Sequence, residues 1–254
     1  MPNASLDEMV KCCNALLQPE TFSDWDGAVN GLQVENSGSV SRIAAAVDAS
    51  RVTVRLAAEA GADLLLVHHG LFWGPPSQPW TGPRYELFKT LMSRNIAVYS
   101  AHLPLDAHPQ LGNNAQLSKA LGLKRLEPFF FEKGRAIGFK GQGRARREVL
   151  AAQLEKILGR APIVLPGGPV ECRKIGVISG AAGGQLKLAA AEGVDTVITG
   201  EGPHWTHALA EDLGLNVFYG GHYATETFGV KALAAKLSRE FGLPWVFLDH
   251  PSGL

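Results

Sequence analysis

Cysteine is scarce, with three residues in 254, at Cys12, Cys13 and Cys172. An odd number without metal-type spacing excludes a disulfide framework and a cysteine zinc site, and suits a reducing interior. Charge of either sign is not in excess: 24 Lys and Arg balance 24 Asp and Glu. That balance indicates neither nucleic acid nor a polybasic membrane patch. No apolar run approaches the roughly 20 residues that span a bilayer. MPNASLDEMVKCCNALL has early acids and no long apolar centre, unlike a signal peptide or anchor, so the expectation is a soluble cytoplasmic protein. A Walker loop is missing as well, since AAGGQL lacks the lysine-hydroxyl pair. The basic cluster GRARRE, Gly143 to Glu148, reads as the solvated start of a helix.

What is present centres on Asp63 to Gly74, DLLLVHHGLFWG. Four aliphatic residues, Leu64 to Val67, followed by two histidines and a glycine, suit a buried strand ending in a turn. Neutral imidazole is the commonest protein ligand for transition metals. Neighbouring strand residues point to opposite faces, so His68 and His69 converge on one site only if the strand breaks there, which Gly70 permits. Taken alone, the pair reads as a core histidine beside a surface one, and the rest of the chain is what favours a shared site.

The remaining pattern is α/β. LDEMVKCCNALL places Leu6, Met9, Val10, Cys13 and Leu17 at helical spacing behind Ser5. RIAAAVDAS, a helix over 51–60 and the histidine strand form a β-α-β unit. Helices are expected near Tyr85 to Met92 and Asn114 to Leu121, paired strands over FFFEKGRAIGFKG, and a helix over REVLAAQLEKIL that stops at Gly159, with Val149, Leu150, Leu154, Ile157 and Leu158 on one stripe. TFGVKALAAKLSREFG is another helix, with Val230, Leu233, Leu237 and Phe241 on its apolar stripe, and PWVFLDH a last strand. Residues 42–70 align without a gap over 174–202, with identities at Ile43/Ile175, Leu56/Leu188, Gly61/Gly193, Asp63/Asp195 and Gly70/Gly202 among others. Further on, IAVYSAHLPLD aligns with NVFYGGHYATE, so that Tyr99 meets Tyr219, His102 meets His222 and Asp106 meets Glu226. Such agreement also arises between generic β-α-β units, but the shared His-x-x-x-carboxylate argues for two related lobes. The expected fold is therefore α/β: two related α/β lobes made by internal duplication, residues 1–126 plus 227–254 and residues 127–226, with a dinuclear metal site in the cleft between them.

Residues expected at strand ends are His68, His69, His102, Asp106, Glu201, His222 and Glu226, where functional groups of open α/β sheets gather. Imidazole with carboxylate suits Zn, Fe, Mn or Co better than Ca or Mg. The group exceeds what one structural zinc needs, so two divalent ions per chain bridged by a carboxylate are the better count. Glu201 is open between a partner of a ligand and a helix cap, and His102 between a proton-transfer role and a satisfied neighbour of the site.

VHHGLFWG, AHLPLD and GGHYATE, in this order, resemble the Nif-three-like, or YbgI-type, proteins, the GTP cyclohydrolase 1 type 2 homologues. DGAVNGLQVE and LGNNAQLSKALG are similar to flanking motifs of the same family, so the resemblance covers nearly the whole chain. It implies that His68, His69, Asp106, His222 and Glu226 are the ligands of a dinuclear centre, with Glu226 bridging. It also implies a homo-oligomer, a toroidal hexamer with its metal centres facing an internal cavity. AHLPL or Phe129 to Glu132 is then expected to supply exposed apolar surface. The chain departs from many relatives at Gly70, where they carry proline, and at Leu103 and Pro104, where they carry threonine and asparagine, next to Asp106. The functional expectation is a metal-dependent hydrolase of an unidentified small molecule, nucleotide-like by the family name, with His102 the catalytic candidate for moving a proton. The alternative is a non-catalytic protein that stores or delivers metal, or a ring that contacts partners.

Overall fold

The computed structural model describes residues 3–73 and 79–254. Gly74, the last residue of the histidine stretch, and the first two residues of the chain lie outside the described residues. The chain runs β1 (Ala4–Ser5), α1 (Leu6–Leu17), β2 (Gly31–Val34), β3 (Ser39–Val40), β4 (Ile43–Asp48), α2 (Arg51–Glu59), β5 (Leu64–His69), α3 (Gly82–Ser93), β6 (Ala97–Ser100), α4 (Leu103–Asp106), α5 (Asn113–Ala120), β7 (Lys124–Glu132) and β8 (Arg135–Arg146). It continues through α6 (Arg147–Leu158), β9 (Ile163–Pro166), β10 (Glu171–Val177), α7 (Leu186–Ala191), β11 (Thr196–Thr199), α8 (Thr206–Leu213), β12 (Asn216–Tyr219), α9 (His222–Phe241) and β13 (Trp245–Phe247). Two compact units result, Met1–Leu105 with Gly229–His250, and Asp106–Phe228 with Pro251–Leu254. Residues 106–126, 227–228 and 251–254, assigned from sequence to the first lobe, fall in the second unit.

In the first unit the sheet order is β13-β4-β5-β6-β2, with β2 antiparallel to β6 and the other pairs parallel. β5 is buried from Leu64 through His68, as a parallel strand covered on both faces must be, which explains its continuous apolar run. One face packs Ala44, Leu65 and Val98 against Val54 and Ala57 of α2 and Phe88 and Leu91 of α3. α2 starts at Ser50, whose hydroxyl and that of Thr53 close a reciprocal capping box. In α1, Leu6, Met9, Cys13 and Leu17 are buried, and the Glu8 N–H donates to Ser5 Oγ.

In the second unit the order is β7-β8-β10-β11-β12-β9, with β10, β11 and β12 parallel and β9 antiparallel to β12. The series β4-β5-β6-β2 and β10-β11-β12-β9 thus have the same order and directions. Each is preceded in the chain by a helix, α1 or α6, and then by its antiparallel edge strand. Asp63 accepts hydrogen bonds from the N–H groups of Ser41 and Arg42, and Asp195, its sequence counterpart, from those of Arg173 and Lys174. The gapless alignment of the last strands is off by one residue, however. Val67 pairs with Ser100, whereas Thr199, the counterpart of Val67, pairs with Tyr219, so Tyr99 and Tyr219 are not in equivalent register. The second unit has one more residue between strand and histidine, accommodated at Gly220 and Gly221.

Other expectations change with burial. Val149 is 58 % exposed while Leu150 and Leu154 are buried, so the inner stripe of α6 is narrower than expected; Gly159, at φ +74°, ends the helix as expected. Arg144 and Arg146 lie on β8, and only Arg147 opens a helix. Leu103, Leu105, Phe129 and Phe130 are core residues, leaving Phe131 as the exposed phenylalanine of that run. The cause at β7 is Phe130, whose φ of +60° breaks the in-out alternation so that two neighbouring rings turn inward; its N–H donates to Glu192 Oε1.

Candidate metal centre

The first unit gathers three histidines at the ends of adjacent parallel strands. His68 and His69 are the last residues of β5, and His102 follows β6. Their ring centroids lie 4.8 to 5.6 Å apart, and one ligand-type atom from each falls within 4.8 Å of the others. The strand ends at His69, and Gly70 leaves the space that Gln33 and Ser100 fill: a Cβ there would meet the Gln33 amide at 2.3 Å and Ser100 Oγ at 2.6 Å. Gln33 Oε1 accepts from the Leu71 N–H, fixing the turn behind the histidines. Trp73 Nε1 donates to the Gly70 carbonyl, and its ring meets His102 edge-on.

Each of these imidazoles is held at Nδ1 by an oxygen that only accepts: His68 by the Ala101 carbonyl at 2.9 Å, His69 by Asp48 at 2.8 Å and His102 by Asp24 at 2.7 Å. Nδ1 therefore carries the hydrogen in all three, and Nε2 is the nitrogen with a lone pair. Asp24 is fixed in turn by Asn30 Nδ2 and by the Trp25 N–H, while Asn30 Oδ1 accepts from the His102 N–H. Burial alone would raise the Asp24 pKa, but hydrogen bonds from His102, Asn30 and the Trp25 N–H, with the imidazole charge, hold it below the usual carboxylate value. A cavity of about 480 Å³ opens beside this loop, with Asn14, Phe22, Asp24, Trp25 and Asn30 among its lining.

The second unit brings together Glu201, His222 and Glu226, and it also carries Asp106. Asp106 and Glu226 are helical rather than strand-end residues: each ends a helical turn begun at its histidine, which is what the His-x-x-x-carboxylate spacing encodes. Asp106 is buried, and its Oδ1 accepts from Asn113 Nδ2 at 2.8 Å and Ser179 Oγ at 3.0 Å. The departures at Leu103 and Pro104 thus leave this carboxylate with its donors. His222 lies between two carboxylates, Glu201 at 2.8 Å from Nδ1 and Glu226 at 3.1 Å from Nε2. Burial alone would lower its pKa, but the hydrogen bond and charge of Glu226, then those of Glu201, raise it to about 9. Gly180, at φ +70°, leaves room for Glu226: a Cβ there would sit 2.5 Å from Glu226 Oε1.

Imidazoles with a lone pair directed from Nε2 and nearly buried carboxylates form a nitrogen-oxygen donor set fit for divalent transition metals. Glu201 touches an imidazole and is not a helix cap. Sequence reasoning missed Asp24, Asn30, Gln33, Asp48, Asn113 and Ser179. The flanking motifs DGAVNGLQVE and LGNNAQLSKALG contained Asn30, Gln33 and Asn113, whereas Asp24, two residues before the first of them, and Asp48 and Ser179 had no signal of their own.

Fold and site define a mixed α/β protein with clustered histidine and carboxylate groups able to hold metal. The Duf34/NIF3 (NGG1p interacting factor 3) family profile matches residues 4–252, and the chain belongs to that family. A GTP cyclohydrolase 1 type 2 homolog from Deinococcus radiodurans is 44% identical over 252 residues, covering 98% of this chain and 94% of the relative. Among solved structures, TTHA1606 from Thermus thermophilus superposes with a TM-score of 0.91 at 42% identity, covering 99% of this chain and 100% of the other. Protein ybgI, described as of unknown function, gives 0.91 at 35% identity with the same coverage. The resemblance drawn from VHHGLFWG, AHLPLD and GGHYATE is borne out.

Proposed function

We propose that the chain is a dinuclear metal protein and a metal-dependent hydrolase acting on a small, nucleotide-like substrate. In this reading His68, His69, Asp106, His222 and Glu226 hold two divalent ions, Zn, Fe, Mn or Co, with Glu226 shared between them. The supporting observation is the convergence of His68, His69 and His102, with every Nδ1 committed to an acceptor. When bound, the ions supply Lewis-acid polarisation of a substrate oxygen and lower the pKa of water. His102 is assigned to proton transfer at Nε2, because Asp24 and Asn30 fix both its ring and its backbone. The name of the relatives, GTP cyclohydrolase 1 type 2 homolog, favours a nucleotide-like substrate. The shared strand order and the matching Asp63 and Asp195 contacts support an origin of the two lobes by internal duplication. Assembly as a toroidal hexamer in the cytoplasm completes the proposal; no helix among the described residues is long and apolar enough to cross a membrane.

The test is metal analysis of protein purified without added metal, then a hydrolysis screen over nucleotides and phosphoesters with chelator-treated protein as control. Two equivalents per chain and chelator-sensitive turnover are expected. Less than one equivalent after reloading overturns the metal reading. Full loading without turnover overturns the hydrolase and leaves storage or delivery of metal.

A further inference from the structure

Asp48 and Glu201 have side chains 43% and 42% exposed, yet each gives its carboxylate to an imidazole at 2.8 Å rather than to water alone. Asp48 is delivered by register: it is the ladder partner of His69 on the neighbouring strand. Glu201 stands, by the matched pairing of β4 with β5 and β10 with β11, where His69 stands in the first unit. It reaches the histidine after the next strand, His222. In the first unit that position is taken by an imidazole, and the histidine after the next strand, His102, obtains its carboxylate from the loop at Asp24, 78 residues away. Two differently built surroundings thus arrive at one device, an acceptor oxygen on Nδ1.

We propose that Asp48 and Glu201, with Asp24 in the same role, are positioning residues that set the tautomer and direction of His69, His222 and His102 so that each presents Nε2 to metal or substrate. This rests on the metal-binding reading above. A carboxylate behind an imidazole orients the ring, strengthens its donor nitrogen, and on removal weakens metal affinity by about 10–100-fold. Because the acids differ in exposure, the role is separable from folding. Asp24 is nearly buried and its loss endangers the fold, whereas the other two are half-exposed.

The experiment uses the full chain with Co(II) and Zn(II) as probes. Dissociation constants from chelator competition and the Co(II) visible spectrum are compared for wild type, Asp48→Ala, Asp48→Asn, Glu201→Ala, Glu201→Gln and the exposed neighbour Asp26→Asn. Both alanine variants are expected to bind about 10–100-fold more weakly with a shifted Co(II) spectrum. The amide variants keep an acceptor for Nδ1–H and should recover part of the affinity, and Asp26→Asn should match wild type. Wild-type affinity and spectrum in the alanine variants overturn the proposal. So does equal weakening in Asp26→Asn, which marks a bulk charge effect, or equal loss in amide and alanine variants together with a lowered melting temperature, which marks a structural role. Absence of metal from the wild type sinks instead the reading on which the proposal rests.

Discussion

Glu226 and Asp106 occupy related places on their helical turns but differ in surroundings, and their variants should differ accordingly. Asp106 already spends one oxygen on Asn113 and Ser179, which suits a ligand of one ion. Glu226→Gln is expected to reduce bound metal at both positions and Asp106→Asn mainly at one, read by metal stoichiometry; equal loss from both would reject the bridging assignment. At Gly180 a methyl group would combine an unfavourable φ with a 2.5 Å approach to Glu226 Oε1. Gly180→Ala should therefore cost about 1–3 kcal/mol in denaturant melts and displace that carboxylate, lowering metal content. The raised His222 value carries a pH signature in chelator-treated protein. Protonated His222 contributes stability that is fully present below its ordinary value of 6.5 and is lost as pH rises through about 9. Melts of the metal-free chain should show that loss, and Glu201→Gln should shrink it; a flat profile would contradict the assigned partners.

The strands were legible because their residues face apolar surroundings on both sides. Leu64 to Val67 have no polar alternation, and β5 is buried on both faces. Leu66, wholly buried in the central position of the first sheet, makes that argument testable: Leu66→Ala should destabilise by about 2–5 kcal/mol, measured by denaturant unfolding. A change below about 1 kcal/mol, on the order of an exposed substitution, would contradict the two-sided burial. Helix ends were legible where chemistry marks them, as at Ser5 and Gly159. The inner width of α6 was not, because Val149 has the right spacing but no neighbour to cover it. Nor was the left-handed backbone at Phe130, since three consecutive phenylalanines do not announce which of them leaves the alternation. The metal-ligand candidates were readable from histidines after aliphatic runs. The acids behind them were not: Asp24 and His102 meet only through tertiary structure, and a loop aspartate has no local signature.

At the scale of the whole molecule, the similarity of the two β-α-β units was readable from sequence and the one-residue slip before His222 was not, because gapless matching conserves chemistry at the histidine and hides the added turn residue. Assembly is the remaining question at this scale, and burial decides where to test it. The run expected to supply apolar contact surface is core except for Phe131, 56 % exposed on the edge strand β7. The opposite edge of the same sheet, β9, exposes Ile163 at 63 %. Edge strands with exposed apolar side chains invite pairing unless something covers them. A toroidal hexamer would supply that cover from neighbouring copies. Sedimentation is therefore expected to give a species of six times the 27.1 kDa chain mass, and Phe131→Glu or Ile163→Glu to dissociate it while leaving secondary structure intact. A strictly monomeric wild type at working concentration would remove the toroid. A hexamer indifferent to both substitutions would place its contacts away from these edges.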